Sequence, residues 1–138
     1  MRPSAIQSAR TVTTPLILLA DDFEDGRDLY YEYLTFRGYR VALAVDGHAA
    51  IEQARRERPD VVLMDVRMPG MNGTDAMRVM KSDVALADVP IIAFTAHALE
   101  EEQRDALLAG FDAVLPKPCL PNDLADFIDL VLKSRART

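Results

Sequence analysis

Five apolar runs punctuate the chain, and between them the apolar residues recur at helical spacing. The first run, "PLILLADD" at 15–22, does not alternate apolar with polar residues. A strand that stays apolar without alternation is expected to be buried on both faces. Residues 24–38 then switch to the helical period, with Tyr30, Tyr33, Leu34 and Arg37 three and four apart and Gly38 as a stop signal. "YRVALAV" at 39–45 predicts a second strand, and the Ala-rich, charged stretch 48–58 a helix closed by Pro59. "DVVLMD" at 60–65 predicts the third strand, followed after a Met-Pro-Gly loop by a short helix at 74–82. "VPIIAFTA" at 89–96, a helix at 99–110 ending in glycine, and "FDAVLP" at 111–116 come next. The last helix spans 121–134; it opens on Pro121 and presents Leu124, Phe127, Ile128, Val131 and Leu132 on one face.

Strand and helix therefore alternate five times. That order predicts an α/β fold, a doubly wound five-stranded parallel sheet with helices on both faces. Residues 1–14 lack periodicity and are expected to form a loose arm, with one domain over 15–134 and a short tail over 135–138.

Composition narrows the function. The chain has 138 residues, about the size of one domain, and 49% are apolar, enough for a core without disulfides. Its one cysteine, Cys119, has no internal partner, so a reducing compartment, the cytoplasm, is expected. Cys119 itself is expected to be inert packing. No apolar run nears the roughly 20 residues of a membrane helix, and the first 14 residues lack the apolar stretch of a secretory signal. The net charge of −6 disfavours direct nucleic-acid binding, which needs a basic face.

The polar residues that matter fall at the strand ends. Strand one runs into Asp21 and Asp22, strand three into Asp65, strand four into Thr95, and Lys117 follows strand five. Each has an ordinary explanation in isolation: aspartates after strands serve as turn and cap residues, Thr95 would cap the next helix, and a lone lysine is solvated. In an open parallel sheet, however, all carboxyl ends lie along one edge, where ligands bind. Three carboxylates brought together repel unless a cation joins them. An oxygen-only set suits Mg²⁺, which keeps waters for an incoming phosphate. A carboxylate is also a competent nucleophile toward phosphorus. Asp65 is thus a candidate phosphoryl acceptor, with Lys117 and the Thr95 hydroxyl on the equatorial oxygens.

"LADD", "LMDVRMPGMNG", "IIAFTA" and "LPKP" occur in this order over about residues 15–134, and together they resemble the receiver domain of two-component response regulators. The resemblance implies a flavodoxin-like (βα)5 fold with strand order 2-1-3-4-5. It implies Asp65 as the phosphoacceptor, and Asp21, Asp22, Asp65 and the Arg67 backbone carbonyl as Mg²⁺ ligands. Thr95 would be the switch hydroxyl and Lys117 the contact to the phosphoryl group, with a cis Lys117-Pro118 peptide. Ala96 would leave access to the phosphoryl group, while Arg67 and His97 would border the site, exposed and modulatory. His48 is expected on the surface at a helix start. One position departs from the family: three residues before the lysine, where Tyr or Phe is usual, stands Val114. The family's aromatic rotation cannot operate there in its usual form, and Phe111 is not assured as a substitute.

The implied function is phosphoryl transfer from a histidine kinase or histidine phosphotransfer protein to Asp65, slow hydrolysis of the product, and altered binding of a downstream protein. Receivers often pair through the fourth helix, fifth strand and fifth helix, which leaves a homodimer open. Stand-alone action and membership in a longer regulator or hybrid kinase also remain open. A degenerate, phosphorylation-independent binding module is the alternative, although all five site residues are present. A Mg²⁺-dependent aspartyl-phosphate phosphatase would want a second Asp where Arg67 stands. A flavin-binding protein would want Ser, Thr and Gly where "DDFEDG" is acidic.

Overall fold

A computed structural model describes residues 14–136 of the chain. The strands are β1 Leu16–Ala20, β2 Arg40–Ala44, β3 Val61–Met64, β4 Ile91–Thr95 and β5 Ala113–Pro116. The helices are α1 Glu24–Phe36, α2 Gly47–Glu57, α3 Gly73–Ser82, α4 Glu100–Ala109 and α5 Pro121–Ala136. Residues 1–13 of the expected arm, and 137–138 of the expected tail, lie outside the described residues. Thr14 is tied to the sheet edge through its carbonyl, which accepts from Arg40 Nε at 3.0 Å.

The five strands are all parallel, in the order β2-β1-β3-β4-β5. The unbroken apolar runs have a simple cause. On β1, Ile17 and Leu19 face α1 and α5 and pack with Tyr30, Leu34, Leu124 and Ile128. Leu18 and Ala20 face the other way, toward Ala50 and Ile51 of α2 and Met77 and Met80 of α3. The same alternation sends Val61 and Leu63 to one layer, and Val62 and Met64 to the other. Both faces are covered, so a strand with period two needs apolar residues at every position. All of β1, β3 and β4 is buried, whereas β2 and β5 at the edges are only partly so.

Helix α1 ends at Phe36, two residues before the expected stop. Arg37 caps it, and Gly38 takes φ +97° in the turn beyond. Asp46 caps α2 through Ala49 N at 2.8 Å, and Asn72 caps α3 through Asp75 N at 2.9 Å. These local signals set where each helix begins, and hence the length of each loop at the carboxyl edge.

Candidate functional site

The sheet delivers Asp21, Asp65, Thr95 and Lys117 to one edge, because Thr95 ends β4 and the other three each follow directly on the carboxyl end of a parallel strand. The strand ladder continues into them: Asp21 N donates to Ala44 O at 3.0 Å, Asp65 N to Ala20 O at 2.9 Å, and Lys117 N to Thr95 O at 2.9 Å. Asp21, Asp22 and Asp65 each offer a carboxylate oxygen, and the three lie within 4.8 Å of one another. They differ in setting. Asp21 is 1% exposed, Asp65 is mostly covered, and Asp22 is open to solvent.

Lys117 supplies the counter-charge. Its ammonium pairs with Asp21 Oδ2 and lies 3.5 Å from Asp65 Oδ2. It also sits over the Phe94 ring, 4.9 Å from the centroid, a cation–π contact that holds the stem in place. Phe94 is braced edge-on by Tyr30 at 5.0 Å, and the Tyr30 hydroxyl donates to Cys119 O at 3.1 Å. This aromatic prop was not read from the sequence; the cue was Phe94 standing directly before Thr95. The Lys117-Pro118 peptide is cis, as the resemblance implied.

Neither aspartate of "DD" nor Thr95 serves as an ordinary helix cap. Asp21 Oδ1 accepts from Phe23 N at 2.9 Å, but the N-cap of α1 is Phe23, which makes no side-chain cap. Thr95 is 1% exposed, and its hydroxyl accepts from His97 N at 3.0 Å, while α4 begins only after Leu99. Ala96 and His97 are exposed beside it. Arg67 is exposed too; its amide donates to Asp65 Oδ1 at 3.4 Å, and its guanidinium reaches Glu102 Oε2 at 3.4 Å. Pro118 is exposed and Val114 is partly buried against the α2–α4 core layer. Phe111 is buried at the opposite end of β5 and cannot stand in for an aromatic beside Lys117. His48 is exposed on the first turn of α2, and Cys119 is half-buried, its thiol pushed up by burial and by Asp123.

Two glycines shape the loop behind Asp65. A Cβ at Gly73 would fall on the Asp65 carbonyl oxygen and within 2.8 Å of Met64 Cγ. A Cβ at Gly47 would strike the Met71 carbonyl, to which Gly47 N donates at 3.1 Å. Close backbone approach explains both residues. Arg27 adds a brace: its Nη1 donates to Asp21 O at 2.8 Å.

Burial pushes the Asp65 carboxyl above the usual aspartate range. Lys117 opposes the shift, the Asp21 charge adds to it, and the Thr95 hydroxyl and Arg67 amide oppose it further. A raised folded value means that the protonated form supports folding. That support is complete below the ordinary aspartate value of about 3.9 and is lost as pH rises through the folded value. Asp65→Asn is therefore expected to raise the melting temperature of metal-free protein at pH 7, with a gain that fades toward pH 4. Melts in chelator at the two pH values check this; an equal gain at both would remove ionisation as its cause.

Chemically, the edge combines an oxygen-only donor set with a buried ammonium and a buried hydroxyl. Such a set fits a hard divalent cation like Mg²⁺, and the residual negative charge after Lys117 pairing gives the cation a reason to bind. The carboxylate of Asp65 is the one that Lys117, Thr95 and Arg67 all approach.

The chain matches the family model described as response regulator receiver domain over residues 17–129. It is 37% identical over 117 residues to the sensor protein GacS of Pseudomonas syringae pv. syringae, covering 83% of this chain but 13% of GacS. It is 38% identical to the response regulator MprA of Mycobacterium leprae, covering 85% of this chain and 50% of MprA. The chain thus spans half or less of these two curated relatives. Among solved structures, the receiver domain of sensor histidine kinase PA1611 from Pseudomonas aeruginosa is 34% identical with a TM-score of 0.81, covering 88% of this chain and 99% of that one. That structure is described with a magnesium ion coordinated in its active-site cleft. The chemotaxis protein CheY4 of Vibrio cholerae is 28% identical with a TM-score of 0.82, covering 87% and 100%.

Proposed function

The chain belongs to the response regulator receiver domain family, and from that premise we propose that it is a switch phosphorylated on Asp65. The observation that carries this reading is the convergence of Asp21, Asp22 and Asp65 at one sheet edge with Lys117 among them.

The donor is a phosphohistidine on a histidine kinase or histidine phosphotransfer protein. An Asp65 carboxylate oxygen attacks the phosphorus, an O–P bond forms, and the N–P bond to the imidazole breaks. The departing imidazole keeps the bond's electron pair and takes up a proton. Asp21, Asp22, Asp65 and the Arg67 carbonyl would hold Mg²⁺. When bound, the ion offsets the charge between the carboxylate and the phosphoryl oxygens. Lys117 already touches Asp65 and needs little movement to meet a phosphoryl oxygen. Thr95 would donate its hydroxyl hydrogen to a second oxygen while its oxygen goes on accepting from His97 N. Exposed Ala96 leaves the approach open. Hydrolysis of the acyl phosphate resets the switch. Burial leaves the Asp65 carboxylate a weakly solvated nucleophile, and Lys117 beside it favours the ionised form.

No helix among the described residues is long and apolar enough to cross a membrane, and the receiver reading puts the domain in the cytoplasm with its kinase. A downstream protein reads the change, and a homodimer through α4, β5 and α5 is one form that change can take.

The test is intact-mass measurement after incubation with Mg²⁺ and acetyl phosphate. One phosphate adduct is expected in the wild type, with none in Asp65→Asn and none in chelator. If histidine kinases and acetyl phosphate both leave the mass unchanged, the protein acts as a phosphorylation-independent binding module instead.

A further inference from the structure

The family's aromatic is missing at Val114, so the route from Asp65 to the helices must run through other residues. Arg67 and Glu102 are placed to form it. The Arg67 backbone amide touches the Asp65 carboxylate, and its side chain reaches across to α4. There Glu102 does two things at once. Oε2 accepts from Arg67 Nη2 at 3.4 Å, and Oε1 accepts from Leu99 N at 3.0 Å, closing the first turn of α4. One carboxylate thus joins the acceptor loop to the start of a helix.

Resting on the receiver reading, we infer that Arg67 and Glu102 form the switch relay of this protein: on phosphorylation the Arg67 guanidinium leaves Glu102 for the phosphoryl oxygens, and the first turn of α4 loosens. No bond is made or broken beyond the transfer to Asp65 itself.

The relative strengths of the two partners decide the direction. The existing pair is long and lies at the surface, with Arg67 65% and Glu102 31% exposed in their side chains. Exposed pairs of that kind contribute little. A phosphoryl group adds up to two negative charges and offers oxygens that an arginine can take in pairs, a stronger charge-assisted arrangement. It would appear on Asp65, beside Arg67's own backbone. A cleft of 290 Å³ between α3 and α4, lined by Arg67 and Glu102 themselves and by Val66, Arg78, His97 and Asp105 among others, leaves the guanidinium room to swing. Once Arg67 departs, Glu102 stands with Glu100 and Glu101 on the same first turn. Without Arg67, the Glu102 side chain loses one of its two anchors, so its bond from Leu99 N opens more readily. Leu99, Leu107 and Leu108 are exposed on or beside α4, so a looser first turn changes an apolar surface available to partners.

The experiment is amide hydrogen exchange over residues 99–103 of the whole protein, with Mg²⁺, with and without acetyl phosphate, and with adduct formation followed by mass. In the wild type, exchange is expected to rise about 1.5- to 5-fold on phosphorylation, the range that an exposed pair can hold back. In Glu102→Gln it is expected to be raised already and to change little on phosphorylation. In Arg67→Ala that carries the adduct, phosphorylation should produce no further rise. A wild type that carries the adduct with unchanged exchange at 99–103 overturns the relay and leaves the receiver reading intact. An Arg67→Ala protein that responds like the wild type does the same. Absence of an adduct with acetyl phosphate and with histidine kinases alike overturns the phosphoacceptor reading and the relay with it.

Discussion

Lys117→Met is expected to cost about 3 kcal/mol of stability at pH 7, a fall of about 10 °C in melting temperature, and to slow phosphoryl transfer by about 10²–10³-fold. The stability loss arises from what the substitution leaves behind. Asp21 is 1% exposed and has Lys117 as its ion-pair partner, and Asp65 shares the same ammonium. Breaking a buried pair by removing one member costs more than the pair was worth, because the remaining Asp21 charge keeps its bond from Phe23 N but has little access to water. Lys117 is itself 16% exposed, so the expected cost lies at the low end of that range. Two conditions should reverse it. Acidification lets the unpaired carboxylates take up protons, so the gap to wild type should narrow as pH falls. Mg²⁺ should restore part of the loss, because the cluster without the ammonium binds the cation more tightly than wild type does, and each tenfold difference in dissociation constant narrows the gap by up to about 1.4 kcal/mol. Chemical denaturation at pH 7 and pH 4.5, with and without Mg²⁺, reads all of this. A variant as stable as wild type at pH 7 would mean that Lys117 does not hold the acidic cluster together.

Gly73→Ala is expected to cost about 3 kcal/mol and to disable the folded fraction as a phosphoacceptor. The added methyl meets backbone, the carbonyl of Asp65, rather than the end of a flexible side chain. Relief requires moving either the start of α3 or the end of β3, and β3 is fixed by ladders on both sides. Gly73 N also donates to Val66 O at 2.8 Å, so a shift of α3 disturbs that bond as well. Gly38→Ala is the informative comparison. Nothing lies within 4 Å of a Cβ there, but φ is +97°, so its cost of about 1 kcal/mol should be backbone strain alone and should leave phosphorylation intact. Urea titrations of both variants, with adduct formation measured on the folded protein, separate the two mechanisms. Equal stability losses, or a fully active Gly73→Ala, would show that the loop behind Asp65 is softer than its packing implies.

The element order was legible because its causes are local. Apolar runs without alternation at 15–22, 60–65 and 89–96 can be satisfied only by two-sided burial, and β1, β3 and β4 are buried throughout. Helix starts were legible to within a residue or two where Asp46 and Asn72 cap them. The convergence of Asp21, Asp22, Asp65 and Lys117 followed from parallel strands alone, since every carboxyl end must share one edge. The partnerships within that edge did not follow. A lysine after a fifth strand carries no mark that it will pair with an aspartate after the first, 96 positions away. The roles of Phe94 under Lys117 and of Gly73 against Asp65 did not follow either.

By itself, then, the sequence determined which residues form strands and helices, that both faces of the sheet are covered, and that three carboxylates, a hydroxyl and an ammonium reach a common edge. Only the tertiary structure decided that Lys117 leans on Phe94 and pairs with Asp21 as well as Asp65, that Gly73 must press its backbone against Asp65, and that Arg67 reaches Glu102. The division has a physical reason. Periodicity and capping act over a few residues and are written into neighbouring positions, whereas contacts between loops depend on strand register and loop path, which are set by the packing of the whole chain.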